Sequence, residues 1–114
     1  MLAENVVVPL LLFVRVKSFV IATRLLKVGE LERARRYLEE SVKLDKSMKA
    51  ALANLGLAYY LKGDFDKAIQ MNKRALKLDS EFKTALLNLY QIHMASGERE
   101  KAAEYASQIR KLGA

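Results

Sequence analysis

The sequence predicts an all-α fold of six helices arranged as three helix-turn-helix repeats. Three segments align 34 residues apart: GELERARRYLEESVKLD at 29–45, GDFDKAIQMNKRALKLD at 63–79 and GEREKAAEYASQIRKLG at 97–113. A fixed period of this length is typical of repeat proteins. Apolar residues within each period recur three and four positions apart, the spacing of a helix face. The residues that recur in register are Gly29, Gly63 and Gly97, Ala34, Ala68 and Ala102, and Leu44, Leu78 and Leu112.

Each repeat is predicted to contain a first helix, a glycine turn and a second helix. In the central copy, Gly63 can adopt the left-handed conformation that ends a helix, and Asp64 can cap the next helix. Ser47 and Ser80 are the candidate N-caps of the helices that open the second and third repeats. The predicted helical spans are 10–27, 30–44, 48–61, 64–78, 82–95 and 98–111.

Small residues predict where the two helices of a hairpin approach each other closely. Ala68 lies one turn into the second helix of the central repeat, and Gly56 is its expected partner on the first helix. The third repeat places the large Tyr90 opposite Ala102 at the corresponding positions. We therefore expect that hairpin to be splayed, or its tyrosine to be turned aside.

Composition limits the classes of function. A chain of 114 residues favours one domain, and 52% hydrophobic residues with a single proline favour a folded helical one. The absence of cysteine excludes disulfides, thiolate metal sites and a catalytic thiol. A formal net charge of +7 permits weak binding to polyanions without establishing it.

Residues 1–14 form an apolar segment outside the repeats. Its core, VVVPLLLFV at 6–14, is shorter than the roughly 20 residues of a membrane-spanning helix. The acidic Glu4 precedes it, where a signal peptide carries bases. We expect a buried or partner-facing helix and a cytoplasmic protein; membrane association through this segment is the alternative.

No group of residues predicts an enzyme, a cofactor or a metal site. His93 is the only histidine, and its position holds a leucine or a tyrosine in the other copies, which favours a core or half-buried side chain. The repeated glycines serve turns rather than a phosphate-binding loop. The acid pairs Asp64/Asp66 and Glu98/Glu100 stand at helix starts, and their side chains diverge. We therefore predict no catalytic residue.

The basic residues do not form a convincing nucleic-acid site. RARR at 33–36 and KR at 73–74 lie on predicted second helices, with acids interspersed. Only Tyr37 is placed to stack on a base among them. The pattern favours a solvated surface of mixed charge and argues against a nucleic-acid partner.

The stretch NLGLAYYLKGDFDKAIQMNKRALKLD, residues 54–79, resembles a tetratricopeptide repeat (TPR). That family places a leucine, a small residue and an aromatic on the first helix, then a glycine turn, an alanine and a second small residue. The resemblance defines a domain at 15–114 with repeats at 15–48, 49–82 and 83–114, and it weakens in the last repeat. The matching residues in the central copy are Leu55, Gly56, Tyr59, Gly63, Ala68 and Ala75.

Several positions depart from the family pattern. Asn72 replaces a usual apolar or aromatic residue, and Tyr90 and Ile109 replace small ones. The family often adds a polar capping helix after the last repeat, and none follows here. The resemblance nevertheless implies a right-handed superhelix that binds proteins or peptides along its concave surface and is rarely an enzyme.

The resemblance also implies a concave groove lined by the first helices. Most of the residues expected there are apolar, and Lys27 is the charged one. Phe19, Thr23 and Thr84 stand where a clamp for a peptide carboxylate would need basic or amide side chains, so we expect no such clamp. The predicted partner-binding residues are Phe19, Leu26, Leu57, Tyr60, Leu61, Leu87, Gln91 and Met94.

We therefore predict a non-enzymatic protein-interaction module, a scaffold or adaptor, whose groove binds an apolar peptide or an amphipathic helix. The alternative is a structural self-assembly unit that forms a homo-oligomer through the groove, the N-terminal segment or the last hairpin. The groove has two other candidate states. Residues 6–14 of the same chain or of a neighbour fill it, or it is shallow and has no function.

Overall fold

The computed structural model describes residues 19–113, which form six α-helices and contain no strand. Five of the helices begin within a residue of their predicted starts, and the last extends to Gly113. The predicted beginning of the first helix and the apolar segment 1–14 lie outside the described residues. The helices are α1 over 19–27, α2 Leu31–Leu44, α3 Lys49–Leu61, α4 Phe65–Leu78, α5 Lys83–Ala95 and α6 Arg99–Gly113.

The helices pair into hairpins that stack in chain order. Helix α3 contacts α4 and α5 contacts α6 within hairpins, while α2 contacts α3 and α4 contacts α5 between them. The first helices α3 and α5 also contact each other, whereas α4 contacts neither α2 nor α6 within residues 19–113. Because the first helices lie closer together than the second helices, they line the inner side of the stack.

A glycine with positive φ ends the first helix of every hairpin. The φ angles are 79° at Gly29, 87° at Gly63 and 77° at Gly97, as the repeat register predicts. At the central turn, the N–H of Gly63 donates to the Tyr60 carbonyl and that of Asp64 to the Tyr59 carbonyl, both at 2.9 Å. Asp64 Oδ1 then accepts from the Lys67 N–H and caps α4. These bonds satisfy backbone groups that helix ends leave without partners.

The predicted serine caps between hairpins are wrong. The N-cap positions are Met48 and Phe82, and neither side chain caps its helix. The carboxylates of Asp45 and Asp79 instead accept the N–H groups two residues ahead, from Ser47 at 2.9 Å and Glu81 at 3.0 Å. An aspartate that bonds two residues ahead forms an Asx turn, which reverses the chain before the next helix begins.

The close approach of α3 and α4 at Gly56 and Ala68 is confirmed. A Cβ added at Gly56 would lie 3.1 Å from the Ala68 carbonyl oxygen and 2.2 Å from Asn72 Nδ2. Ala68 and Asn72 are both fully buried. The glycine therefore provides the space that the Asn72 side chain fills.

Two buried asparagines connect the second and third repeats. Asn72 Nδ2 on α4 donates to the Ala68 carbonyl at 2.8 Å, and its Oδ1 accepts from Asn88 Nδ2 of α5 at 3.0 Å. Asn88 Nδ2 also donates to the Ala53 carbonyl of α3 at 3.0 Å. Both amides thus have partners inside the protein, as burial of a polar group requires. The network joins three helices, and Asn72 is a polar residue at a position where the sequence pattern leads us to expect an apolar one.

His93 lies in the core, as predicted. It is buried, and its ring stacks on Tyr105 with centroids 5.6 Å apart. Its Nδ1 lies 3.3 Å from Oε1 of Glu98, the residue that directly precedes α6. The structure therefore gives this histidine a packing role between α5 and α6.

We predict that Gly63→Val lowers the free energy of unfolding by about 1–2 kcal/mol, because valine is strained at positive φ. Urea denaturation measures the change. Gly113→Val is the matched control: a Cβ meets nothing within 4 Å at either glycine, but only Gly63 has a positive φ. An equal cost at both positions would show that φ is not the cause.

We predict that Gly56→Ala costs about 1–3 kcal/mol, because the new methyl group overlaps the Asn72 amide. In the Asn72→Ala background the same change should cost less, giving a coupling of about 1 kcal/mol or more in a double-mutant cycle. Chemical denaturation of the four proteins measures it. If the effects of Gly56→Ala and Asn72→Ala on stability were additive, the Asn72 side chain would not be the cause of the cost at Gly56.

Candidate functional site

The predicted groove residues lie on the three first helices, and their exposure differs along the groove. Phe19 and Leu26 on α1 are half-buried and pack against the main hydrophobic cluster. Leu57 and Tyr60 on α3 are half-buried, and Gln91 on α5 is exposed. Among the predicted groove residues, the most exposed apolar side chains are Leu61, Leu87 and Met94, which are 49%, 40% and 45% exposed.

An aromatic pair lies at the α3 end of this set. The Tyr60 ring stacks on Phe65, the first residue of α4, with centroids 5.5 Å apart and an angle of 26° between planes. Both rings border a depression of about 380 Å³ with Leu61, Lys62 and Gly63. Phe65 is absent from the predicted site because it belongs to a second helix. Its position directly after the Gly63 turn is the sequence feature that could have indicated that Phe65 lies near Tyr60.

The two asparagines of the first helices are engaged inside the protein. The N–H groups of the Asn88 amide donate hydrogen bonds to the Ala53 carbonyl and to Asn72 Oδ1. Asn54 Nδ2 lies 3.5 Å from Thr23 Oγ1, and that hydroxyl donates to the Phe19 carbonyl at 3.0 Å. These side chains therefore position the helices, and the Asn88 amide has no N–H group left for a ligand.

A polar network holds α2 against α3. The Tyr59 hydroxyl donates to Glu39 Oε1 at 2.7 Å, and Arg35 Nη1 donates to the same oxygen at 2.7 Å. Arg35 also pairs with Glu32, which forms an ion pair with Lys62 at the end of α3. Partial burial raises the pKa of Glu39, but the bonds from Tyr59 and Arg35 outweigh it, so the pKa lies below its ordinary value.

Two kinds of site are absent from the described part of the chain. Among residues 19–113, no group of three or more His, Asp or Glu side chains is placed to hold a metal ion. No helix in the same range has the length and apolar character needed to cross a bilayer.

Comparison with protein families finds two matches. One family model described as tetratricopeptide repeat matches residues 19–81, and a second with the same description matches residues 60–114. A comparison with curated proteins found no match.

Solved structures share the fold at low sequence identity. A crystal structure of MamA matches with a TM-score of 0.79 and 21% identity, covering 85% of this chain and 57% of that chain. A second MamA structure gives 0.78 and 21%, covering 85% and 53%. The second TPR domain of Spaghetti (RPAP3), bound to the HSP90 peptide SRMEEVD, gives 0.81 and 18%, covering 86% and 91%. This chain thus spans little more than half the length of the MamA chains.

We predict that Tyr59→Phe lowers stability by about 0.5–1.5 kcal/mol at about pH 7, because Glu39 loses a hydrogen-bond donor. The pKa of Glu39 is lowered from 4.5 in the folded state, so its stabilisation is present above that value and is lost as the pH falls through the folded pKa. The difference between wild type and Tyr59→Phe should therefore shrink in acid.

Urea denaturation at about pH 7 and about pH 3 tests this dependence. Tyr60→Phe is the control, because the Tyr60 hydroxyl makes no hydrogen bond among residues 19–113. A Tyr59→Phe effect that stays constant with pH would contradict the role of the Glu39 carboxylate.

Proposed function

Because the chain belongs to the tetratricopeptide repeat family, we propose that it is a non-enzymatic protein-interaction module whose groove binds an amphipathic helix or apolar peptide of a partner protein. The observation that carries the proposal is the exposure of Leu61, Leu87 and Met94 on α3 and α5, two first helices that contact each other. Contact with a partner would remove these apolar side chains from water, at about 25 cal/mol for each Å² buried.

The chemistry of the groove favours an apolar ligand over an acidic peptide end. The peptide bound by the RPAP3 domain, SRMEEVD, carries three acidic residues. In the present chain, the Asn88 amide and the Thr23 hydroxyl donate to groups of the protein itself. Thr84, at the start of α5, is neutral. We therefore assign the groove to a ligand with an apolar helix face.

Tyr60 is the proposed anchor of the ligand. Its ring is held by the stack on Phe65, so little side-chain entropy remains to be lost on binding. Leu57 forms part of the floor, and the flexible Met94 adapts to the shape of the ligand. The hydroxyl of Tyr60 can orient a polar group of the ligand backbone at the rim.

Selection of random peptides displayed on phage against the immobilised full chain tests the proposal. We expect the enriched peptides to carry apolar residues three and four positions apart, the pattern of an amphipathic helix. Leu61→Glu and Met94→Glu should each weaken the binding of an enriched peptide by about tenfold or more. Fluorescence anisotropy measures the affinity, and circular dichroism checks that the helical content is unchanged.

Val28→Glu is the matched control, because Val28 is 73% exposed and lies at the α1–α2 turn. It should leave the affinity unchanged. Enriched peptides with acidic C-termini, or binding that tolerates both groove substitutions, would overturn the proposal. A concentration-dependent oligomer that Leu61→Glu dissociates would instead support the self-assembly alternative.

A further inference from the structure

We propose that one edge of the helix stack docks on a lipid bilayer that carries anionic headgroups. This edge lies where the second helices end and the following first helices begin. We call it the loop edge and define it by Lys43 and Leu44 at the end of α2 and by Lys77 and Leu78 at the end of α4. The proposal concerns a surface other than the groove, and it stands independently of what the groove binds.

The chain connections place these residues on one side of the molecule. A short glycine turn joins the two helices of each hairpin, so they run antiparallel and every second helix ends where the first helices begin. The loops 45–48 and 79–82 join successive hairpins at this edge. The glycine turns lie at the opposite edge, which we call the turn edge. Leu61 and Met94 of the groove lie there, in the last turns of α3 and α5, so a docked loop edge leaves them accessible.

An exposed lysine followed by an exposed leucine recurs along the loop edge. Leu44 and Leu78 are 45% and 47% exposed, and the lysine directly before each of them is exposed as well. Leu112 follows Lys111 in the same register and is 37% exposed. Because the hairpins stack in chain order, these pairs form a row of apolar side chains flanked by positive charges.

The loop edge also has an excess of positive charge. Each edge consists of its chain connections and the flanking helical turns: 19–22, 41–52, 75–86 and 110–113 at the loop edge, and 24–34, 58–68 and 92–102 at the turn edge. The loop edge contains seven basic and three acidic residues, whereas the turn edge contains seven basic and six acidic ones. The two edges have equal numbers of bases, so the excess arises because acids are fewer at the loop edge.

Several bases of the loop edge are available to headgroups. Four exposed lysines there form no ion pair within residues 19–113: Lys43, Lys46, Lys77 and Lys83. The acidic Asp79 is instead engaged, because its carboxylate pairs with Lys49 at 2.5 Å and accepts the N–H of Glu81 at 3.0 Å. The positive charge of the four lysines is therefore presented to solvent.

An anionic bilayer matches both side chains of each lysine–leucine pair. A lysine near its surface gains about fivefold in affinity, and apolar side chains enter the boundary between headgroups and acyl chains. A nucleic acid would contact the lysines and leave the leucines in water. Phe82, an aromatic ring at this edge, is half-buried with the Lys49 ammonium 4.9 Å from its centroid, which does not suit stacking on a base. A second copy of the loop edge would repel the first.

The chain enters the described structure at the same edge. Helix α1 is described from residue 19, and the apolar sequence VVVPLLLFV at 6–14 precedes it, followed by Arg15 and Lys17. An apolar group combined with a basic patch attaches a protein to a bilayer more stably than either does alone. The proposal therefore assigns this sequence and the loop edge to the same bilayer.

Flotation of the full chain with lipid vesicles tests the proposal. We expect saturable binding to phosphatidylcholine vesicles that contain about 30% phosphatidylglycerol, and binding about tenfold or more weaker to phosphatidylcholine alone. Raising the salt from about 0.1 M to about 1 M should weaken binding, because the screening length falls from about 10 Å to about 3 Å.

Two double variants locate the contact on the loop edge. Lys43→Gln with Lys77→Gln should weaken binding to the anionic vesicles by about tenfold or more. Leu44→Ser with Leu78→Ser should weaken it several-fold without a change in charge. All four side chains are exposed, so we expect the helical content measured by circular dichroism to be unchanged.

Matched controls lie at the turn edge. Arg33→Gln with Arg99→Gln removes the same charge from exposed residues in the first turns of α2 and α6. These residues lie about 15–20 Å along the helices from the loop edge, beyond a screening length of about 8 Å at physiological salt, so binding should change little. Val28→Ser, at a residue that is 73% exposed, is the apolar control.

Each of four results overturns the inference. The first is equal binding to neutral and anionic vesicles, or no binding to either. The second is an equal loss in the lysine pair and in the arginine control, which would show an effect of net charge alone. The third is binding that neither loop-edge pair weakens, which would place the contact elsewhere in the chain. The fourth is equally tight binding to a DNA duplex that Leu44→Ser with Leu78→Ser leaves unchanged.

Discussion

The close approach of α3 and α4 is the constraint on which the arrangement of the repeats depends. Gly56 has no side chain, so the Asn72 amide fits beside it against the Ala68 carbonyl. That position leaves Asn72 Oδ1 directed toward α5, where it accepts from Asn88. Asn88 in turn holds α5 to the backbone of α3. The space left by one missing Cβ therefore helps to set how the first helices α3 and α5 meet.

The two positions that Gly56 and Asn72 occupy in the second hairpin hold different residues in the other two hairpins. The repeat register sets Ala22 with Leu38, Gly56 with Asn72, and Tyr90 with Ala106. Each pair contains one small residue. In the first two hairpins the small residue lies on the first helix, whereas in the last hairpin it is Ala106 on the second helix. Since Ala106 has no hydrogen-bonding side chain, the last hairpin cannot repeat the buried amide network.

Features set by local chemistry were predictable from the sequence. The glycine turns and five helix starts follow from periodicity and from the conformational freedom of glycine. The Asx turns at Asp45 and Asp79 were missed because a serine before a helix resembles an N-cap, and the competing aspartate lies two residues earlier. The role of Asn72 was also missed, because its partner Asn88 is on another helix and only tertiary structure brings the two amides together.

Which residues share a face of each first helix was predictable, because helical spacing assigns residues to faces. The sequence could not show that Phe19 and Leu26 pack against the main cluster while Leu61 and Met94 are far more exposed, since exposure depends on neighbouring helices. Nor could it place Phe65 on Tyr60, which requires the path of the chain through the turn.

The two junctions between repeats differ in the forces that hold them, and this difference sets an order of disassembly. Between the first and second repeats, the polar links are the partly solvated Glu32–Lys62 ion pair, the hydrogen bond from the Tyr59 hydroxyl to the Glu39 carboxylate, and the contact of Asn54 with Thr23. Between the second and third, they are neutral amides shielded from water. Added salt screens the former and hardly reaches the latter. In concentrated electrolyte the stack should therefore open first at its N-terminal hairpin, with the other two hairpins left as a cooperative unit.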